Sequence, residues 1–214
     1  MRDASHVLRF NMCNITARCN RVVGTAIGTL CVALLGTLLI PKAAASEWDK
    51  KTVVTFNQPV EVPGKALPAG TYVFKLLDSP SNRNIVQIWD KDEKHLIGTY
   101  LAVPDYRMKP ADKPVINFEE RASNAPEAIK AWFYPGDEYG QQFVYPHDQA
   151  VNIAKRTNQN VLSMRNEMEK NIKAPAKSAQ DSSVQEMKQT EVKGVNPQGE
   201  PVEPDAIVQA PPQK

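Results

Sequence analysis

The feature that most constrains the fold is a two-residue alternation of apolar and polar side chains between Thr52 and Tyr145, interrupted by glycine and proline. Period two is the side-chain repeat of a β-strand, and Gly and Pro are typical of the turns between strands. The alternating segments are TVVTF, TYVFKLL, NIVQIW, HLIGTYLAV, PVINFEE, AIKAWFY and YGQQFVY. The pattern predicts a mainly β protein of about seven strands, arranged as an antiparallel β-sandwich or an open barrel.

The aromatic residues mark the limits of the predicted core. The chain of 214 residues has 15 of them, and 14 lie between Trp48 and Tyr145. Large aromatic side chains dominate the burial of apolar surface in a core. We therefore expect one β-domain over residues 46–146, which is a usual size for a single domain.

Two segments of different composition follow the predicted β-domain. After Asp148, a candidate N-cap, apolar residues recur at helical spacing, at Ala150, Val151, Ile153 and Ala154. Residues 147–172 are predicted to hold one short helix followed by a final strand at NVLSM, and a single longer helix is the alternative. Residues 173–214 are rich in Pro, Gln and Glu with only scattered hydrophobic residues, so we predict a disordered tail.

The N-terminal segment has the features of an export signal. Arginines precede an uncharged run from Val22 to Ile40, and Pro41, Lys42 and the small residues AAAS follow it. This pattern predicts a signal peptide over residues 1–45 and a mature protein in the periplasm or outside the cell. The alternative is an uncleaved anchor at Val22–Ile40, with the domain still outside the cytoplasm.

Removal of the leader would change both cysteine content and charge. Cys13, Cys19 and Cys31 all lie in residues 1–45, so the mature chain would have no cysteine for thiol catalysis or zinc binding. The leader also carries five basic residues and one acidic residue, and its loss changes the formal net charge from +2 to about −2. No basic face is evident, so we predict no nucleic-acid partner, and membrane contact only through an uncleaved N-terminal segment.

The familiar signatures of catalysis and metal binding are missing from the sequence. There is no G-x-S-x-G, H-E-x-x-H, Walker A or G-x-G-x-x-G pattern. His147 is adjacent to Asp148, and adjacent side chains diverge, so a loop or cap histidine is predicted. The segment DKDEKH groups Asp90, Asp92, Glu93 and His95 without the glycine and the final glutamate of an EF-hand loop. We predict no catalytic residue, no metal ligand and no cofactor.

The best candidate for ligand binding is the hairpin whose loop is Pro135-Gly136-Asp137-Glu138. A four-residue loop pairs Tyr134 with Tyr139 and Trp132 with Gln141. One sheet face then gathers the aromatic side chains, namely Trp132, Tyr134, Tyr139, Phe143 and Tyr145. Such a face is either core, which is favoured, or an exposed platform for sugars or apolar ligands. In the second case the ligand-binding residues are Trp132, Tyr134, Asp137 and Tyr139.

Several segments carry a resemblance to a known group of proteins. They are TVVTFNQPVEVPGKALPAGTYVFKLLD, NIVQIWDKDEKHLIGTYLAVPDYR, INFEERA and AIKAWFYPGDEYGQQFVYP. With these segments the chain resembles an uncharacterised family of secreted bacterial β-rich proteins of unknown function. The resemblance covers the core and the helix after it, and it implies an exported β-rich domain without assigning an activity or site residues.

Three hypotheses of function remain after these exclusions, two of them for a non-enzymatic module and one for an enzyme. The leading hypothesis is a non-enzymatic exported β-domain of the cell envelope, a binding or structural module for an envelope protein or a glycan. A carbohydrate-binding module is one alternative, and a small hydrolase or isomerase is the other. The enzyme would use carboxylates in a cleft, drawn from Glu119, Glu120, Asp137 and Glu138. A deep pocket holding two of them with raised pKa values would favour the enzyme.

Overall fold

A computed structural model of the chain describes residues 50–78, 83–119 and 125–208. The predicted signal peptide, the alternative anchor at Val22–Ile40 and the last six residues lie outside these ranges. Within the described ranges, no helix combines the length and the apolar character needed to cross a membrane.

The described chain is mainly β, as the alternation predicts, and nine strands form one large sheet. They are β1 (Lys51–Phe56), β2 (Val60–Val62), β3 (Lys65–Leu67), β4 (Gly70–Asp78), β5 (Asn84–Asp90), β6 (Leu96–Tyr106), β7 (Val115–Phe118), β8 (Glu127–Phe133) and β9 (Tyr139–Phe143). Eight of them follow the order β1-β4-β5-β6-β9-β8-β2-β3, and β7 pairs with β8. Neighbours are antiparallel apart from β2 and β8, which are parallel.

A smaller sheet and three helices complete the described structure. The strands of the smaller sheet are β10 (Tyr145–Pro146), β11 (Val161–Met164), β12 (Lys193–Val195) and β13 (Pro201–Val202), paired in that order. The helices are α1 (His147–Thr157), α2 (Glu169–Lys173) and α3 (Ser182–Gln189). Short 3-10 turns lie at Asn166–Met168 and Pro204–Ala206.

The strands are more numerous than the sequence pattern indicates. Pro59 and Pro68 interrupt the apolar run between β1 and β4, because proline has no N–H to donate to a ladder. The segment between them forms the separate hairpin β2–β3, with Val60 opposite Leu67. The described strands do not close into a barrel, since the pairing order ends at β1 on one side and at β3 on the other.

Aromatic side chains fill the core of the large sheet. The Phe74 ring lies 5.8 Å from the Trp132 ring and 6.4 Å from the Phe143 ring, centroid to centroid. Phe143 also packs against Tyr100 at 5.9 Å, and all four side chains are buried. Burial of each such side chain stabilises the fold by roughly 1.5–3 kcal/mol. The aromatic side chains of the described residues thus serve mainly to fill the core.

Residues 173–208, for which the sequence predicts disorder, contain α3, β12 and β13. Val184 and Met187 of α3 are completely buried, and β12 pairs with β11 from Val161 to Ser163. The side-chain amide of Gln87 in β5 donates to the Ala176 carbonyl over 2.7 Å. The scattered hydrophobic residues therefore contact distant parts of the chain, and local composition does not reveal such contacts.

The helix after the β-domain ends where the sequence indicates a break, but begins differently. Asn158 ends α1 in the left-handed conformation, with φ 56°, and β11 follows. Asp148 is not the N-cap, because α1 starts at His147 after Pro146. The side chain of Asn166 accepts the Asp148 N–H at 3.0 Å and so satisfies one of the free donors of the first turn.

Candidate functional site

The β8–β9 hairpin has the pairing that its loop chemistry predicts. Trp132 lies opposite Gln141, and Phe133 lies opposite Gly140. The Asp137 N–H donates to the Tyr134 carbonyl over 3.2 Å, and Gly136 has φ +83°. Proline followed by a glycine with positive φ is the signature of a type II turn. The turn therefore fixes the register on which every side-chain position in this hairpin depends.

This register places three tyrosines in a line across the end of the sheet. Tyr106 of β6 lies opposite Tyr139 of β9, and their ring centroids are 5.6 Å apart with the planes tilted by 60°. One step beyond the Phe133–Gly140 pair, Tyr134 comes opposite Tyr139. Tyr139 is 52% exposed, while Tyr106 and Tyr134 are half-buried. We call Tyr106, Tyr134 and Tyr139 the tyrosine row.

Trp132, although it is on the same face as Tyr139, does not belong to the surface. Its side chain is 1% exposed and packs on Phe74 beneath the tyrosine row. Phe143 and Tyr145, also assigned to this face from the sequence, are buried as well. The predicted aromatic face is therefore core along most of its length, and only the row at its end reaches solvent.

Asp137 is held by a lysine from a distant part of the sheet. The Lys50 ammonium donates to the Asp137 carboxylate and lies 5.9 Å from the centre of the Tyr134 ring. Lys50 directly precedes β1, whereas Asp137 lies in the β8–β9 turn. The contact joins the start of β1 to the β8–β9 turn beside the tyrosine row and leaves Asp137 partly exposed.

The loop after β6 packs against the same turn. The Arg107 N–H donates to the Glu138 carbonyl over 2.9 Å, and the Gly136 N–H donates to the Ala111 carbonyl over 2.8 Å. These bonds hold Met108, which is 79% exposed, beside the β8–β9 turn. The sequence analysis missed Met108, because a single methionine in a loop carries no periodic signal.

The back of the hairpin is fixed by a close ring contact. The Arg107 guanidinium lies 5.3 Å from the centre of the Phe133 ring. A Cβ atom at Gly140 would come within 2.6 Å of the same ring, so only glycine fits opposite Phe133. This packing makes the end of the hairpin a rigid support for Tyr139.

The carboxylates proposed for an enzyme do not converge. Glu119 follows β7, and its N–H bonds to Ala128 near the start of β8, over 2.9 Å. Asp137 and Glu138 follow the other end of β8, and a strand of seven residues spans about 20 Å. Glu120 lies outside the described residues. The arrangement separates the buried Glu119 carboxyl from Asp137 and Glu138.

Glu119 is nevertheless an unusual group. Its side chain is 2% exposed, and its Oε2 has no hydrogen-bond partner in the part of the chain that the structure describes. Burial raises the pKa of the Glu119 carboxyl to about 7; the charge of Lys130 opposes this rise and that of Asp105 adds to it. A buried acid of this kind makes the stability of the fold depend on pH.

Two carboxylates of the acidic turn between β5 and β6 are paired with His95 of the same turn and with lysines of β1 and β4. Asp90 lies 2.6 Å from His95 Nδ1, and this hydrogen bond lowers the pKa of the Asp90 carboxyl. Glu93 pairs with Lys51 and Lys75, whose hydrogen bonds lower its pKa too. Across the described ranges, no three metal-binding side chains come together.

His147 lines a small pocket of about 160 Å³ together with Ser163 and Glu191. A nucleophilic serine would need its hydroxyl hydrogen-bonded to the histidine. The Ser163 hydroxyl instead donates to the Lys193 carbonyl over 3.3 Å, across the β11–β12 pair. The pocket therefore lacks the bond that would activate this serine.

A wider cleft of about 500 Å³ lies between the β2–β3 hairpin and the start of α1. Gln149 crosses its floor: its Oε1 accepts the Gly64 N–H at 2.7 Å, and its Nε2 donates to Glu61 at 2.8 Å. Arg156 donates to the other oxygen of Glu61. These bonds use the amide of Gln149 and both carboxylate oxygens of Glu61, and they dock the hairpin on α1.

The family resemblance stays a prediction. Comparison with models of protein families, with curated proteins and with solved structures found no match.

Proposed function

We propose that this chain is a non-enzymatic, exported β-domain of the bacterial cell envelope, acting as a binding or structural module through the tyrosine row. The observation that carries the proposal is the exposure of Tyr139 and Met108 at one end of the large sheet. Exposed apolar side chains that lie close together are candidates for an interaction surface. Export and envelope location rest on the N-terminal leader and stay predictions.

The finer architecture proposed with this function is an open barrel. The rings of Phe56 in β1 and Phe118 in β7 are 6.3 Å apart, although the two strands are not neighbours in the pairing order. Lys50, directly before β1, also reaches Asp137 in the turn after β8, the strand that pairs with β7. Margins that approach each other surround a single core, which favours a barrel over two stacked sheets.

The enzyme alternative has less support. Its described carboxylates, Glu119 on one side and Asp137 and Glu138 on the other, lie at opposite ends of β8, and Asp137 is ion-paired with Lys50. General acid–base catalysis needs two groups within reach of one substrate. Glu119 has the raised pKa of a catalytic acid, but the other described carboxylates of the set, Asp137 and Glu138, do not lie beside it.

Cell fractionation with matched variants tests the proposed function. In its own bacterium, the full-length gene is expected to yield a protein that begins at Ser46 and sediments with the envelope. Tyr139→Ala should move most of the protein to the soluble fraction, because the variant loses the exposed ring. Val53→Ala is the control, since Val53 is 60% exposed but lies on β1.

Two results would contradict the proposal. A protein that begins at Met1 and stays in the cytosol would rule out export. Equal sedimentation of wild type, Tyr139→Ala and Val53→Ala would show that the tyrosine row makes no contact with the envelope.

A further inference from the structure

Two of the three large hydrophobic side chains that the described residues expose lie at the same end of the large sheet. Met108 is 79% exposed and Tyr139 is 52% exposed, whereas the third, Val53, lies on β1. The hydrogen bond from the Arg107 N–H to the Glu138 carbonyl holds the Met108 loop beside the strand that carries Tyr139. The exposed apolar area is therefore local and supported by backbone bonds.

The shape of this area suits a chain of rings. The tyrosine row crosses three adjacent strands, β6, β9 and β8, and at a strand spacing of about 4.8 Å it extends about 10 Å. Tyr106 and Tyr139 are tilted by 60°, so their faces are offered at different angles. A pyranose ring has a face made of C–H groups, which packs on the electron-rich face of an aromatic ring.

The charges around the tyrosine row favour a neutral polar ligand. Lys50 is paired with Asp137, and the Arg107 guanidinium is stacked on Phe133. The exposed charges nearby are of both signs, namely Lys109, Asp112 and Lys113 in the loop after β6 and Glu138 on the β8–β9 turn. Anionic lipids and nucleic acids are bound by clusters of unpaired Lys and Arg. The charged groups beside the tyrosine row are better suited to exchange hydrogen bonds with the hydroxyl groups of a neutral ligand than to bind an anion. A polyhydroxylated ligand with apolar faces can stack on the tyrosine rings and exchange hydrogen bonds with the charged groups around them.

We propose that the tyrosine row binds a polysaccharide, with a pyranose ring stacked on Tyr139 and the next ring of the chain over Tyr106 or Tyr134. This inference rests on the proposed function, because it names the partner of the same surface. The envelope would then retain the protein by contact with its polysaccharide.

Co-sedimentation with insoluble polysaccharides tests this inference on the processed protein purified from cells that express the full-length gene. The probes are peptidoglycan sacculi, chitin and cellulose, and vesicles of phosphatidylglycerol serve for comparison. We expect saturable binding to at least one polysaccharide, weakened about tenfold by Tyr139→Ala because the stacked ring is lost. Tyr139→Phe, which keeps the ring, and Val53→Ala should bind as the wild type does.

Several outcomes would overturn the inference. One is that none of the three polysaccharides sediments the protein, and another is that Tyr139→Ala binds as tightly as wild type. Binding to the vesicles alone, lost in Tyr139→Ala, would assign the surface to a membrane. Protein retained on whole envelopes but on none of the polysaccharides would refute this inference and leave the proposed function standing. Protein retained on neither would refute both.

Discussion

Trp132 and Tyr139 belong to the two strands of one hairpin and lie on the same face, yet they have opposite environments. Trp132 is buried in the core against Phe74, whereas Tyr139 is exposed to solvent at the end of the sheet. Period two determines the face on which a side chain lies, but it carries no information on depth along the strand. This is why the sequence alone leaves both core and platform open for the aromatic residues.

Glu119 predicts a measurable effect of pH on stability. Burial raises its pKa from 4.5 to about 7, so between these values the folded protein keeps a proton that the unfolded chain has released. Its contribution to the free energy of unfolding therefore falls as pH rises through this window, and the full cost is present above pH 7. The cost is on the order of 3 kcal/mol. Glu119→Gln should remove it and stabilise the protein at pH 8.

Urea denaturation at pH 4.5 and at pH 8 measures this effect. We expect the free energies of unfolding of wild type and Glu119→Gln to be similar at pH 4.5 and to diverge at pH 8. Glu138→Gln is the matched control, because Glu138 is exposed on the β8–β9 turn. A gap between wild type and Glu119→Gln that is the same at both pH values would show that Glu119 does not titrate in this window.

At the scale of elements, the turns and helix ends that depend on neighbouring residues could be predicted from the sequence. The turn after β8 follows from Pro135 and Gly136, and the end of α1 follows from Asn158. The contacts that sequence reasoning missed are all distant in the chain. Glu61 is bonded to Gln149 and Arg156, which are 88 and 95 residues away. No short pattern marks such pairs, so this network could not be predicted.

Helix α3 gives a direct test of the folded C-terminal segment. Met187 of α3 is fully buried, so Met187→Ala should lower the free energy of unfolding by about 2–5 kcal/mol through lost packing. Met108→Ala, at an exposed loop position, should change it by less than about 0.5 kcal/mol. Thermal or urea unfolding followed by circular dichroism measures both. An unchanged stability in Met187→Ala would mean that residues 182–189 do not pack on the domain.

For the whole molecule, the large sheet places its aromatic face inward and exposes only the end of that face. The core is anchored by Phe74, Trp132 and Phe143, and the tyrosine row continues the same face to solvent. The mainly β class was predictable, because alternation is a local property. The strand order was not, because it depends on pairing between segments such as β6 and β9, about 40 residues apart.

The central claim is that the molecule makes its functional contact through the tyrosine row. Amide NMR of the purified protein, titrated with soluble fragments released from the cell envelope, tests this claim most directly. The account predicts saturable shifts at the row and its loop, namely at Tyr106, Met108, Tyr134 and Tyr139. Shifts confined to the cleft around Glu61 and Gln149 would contradict it.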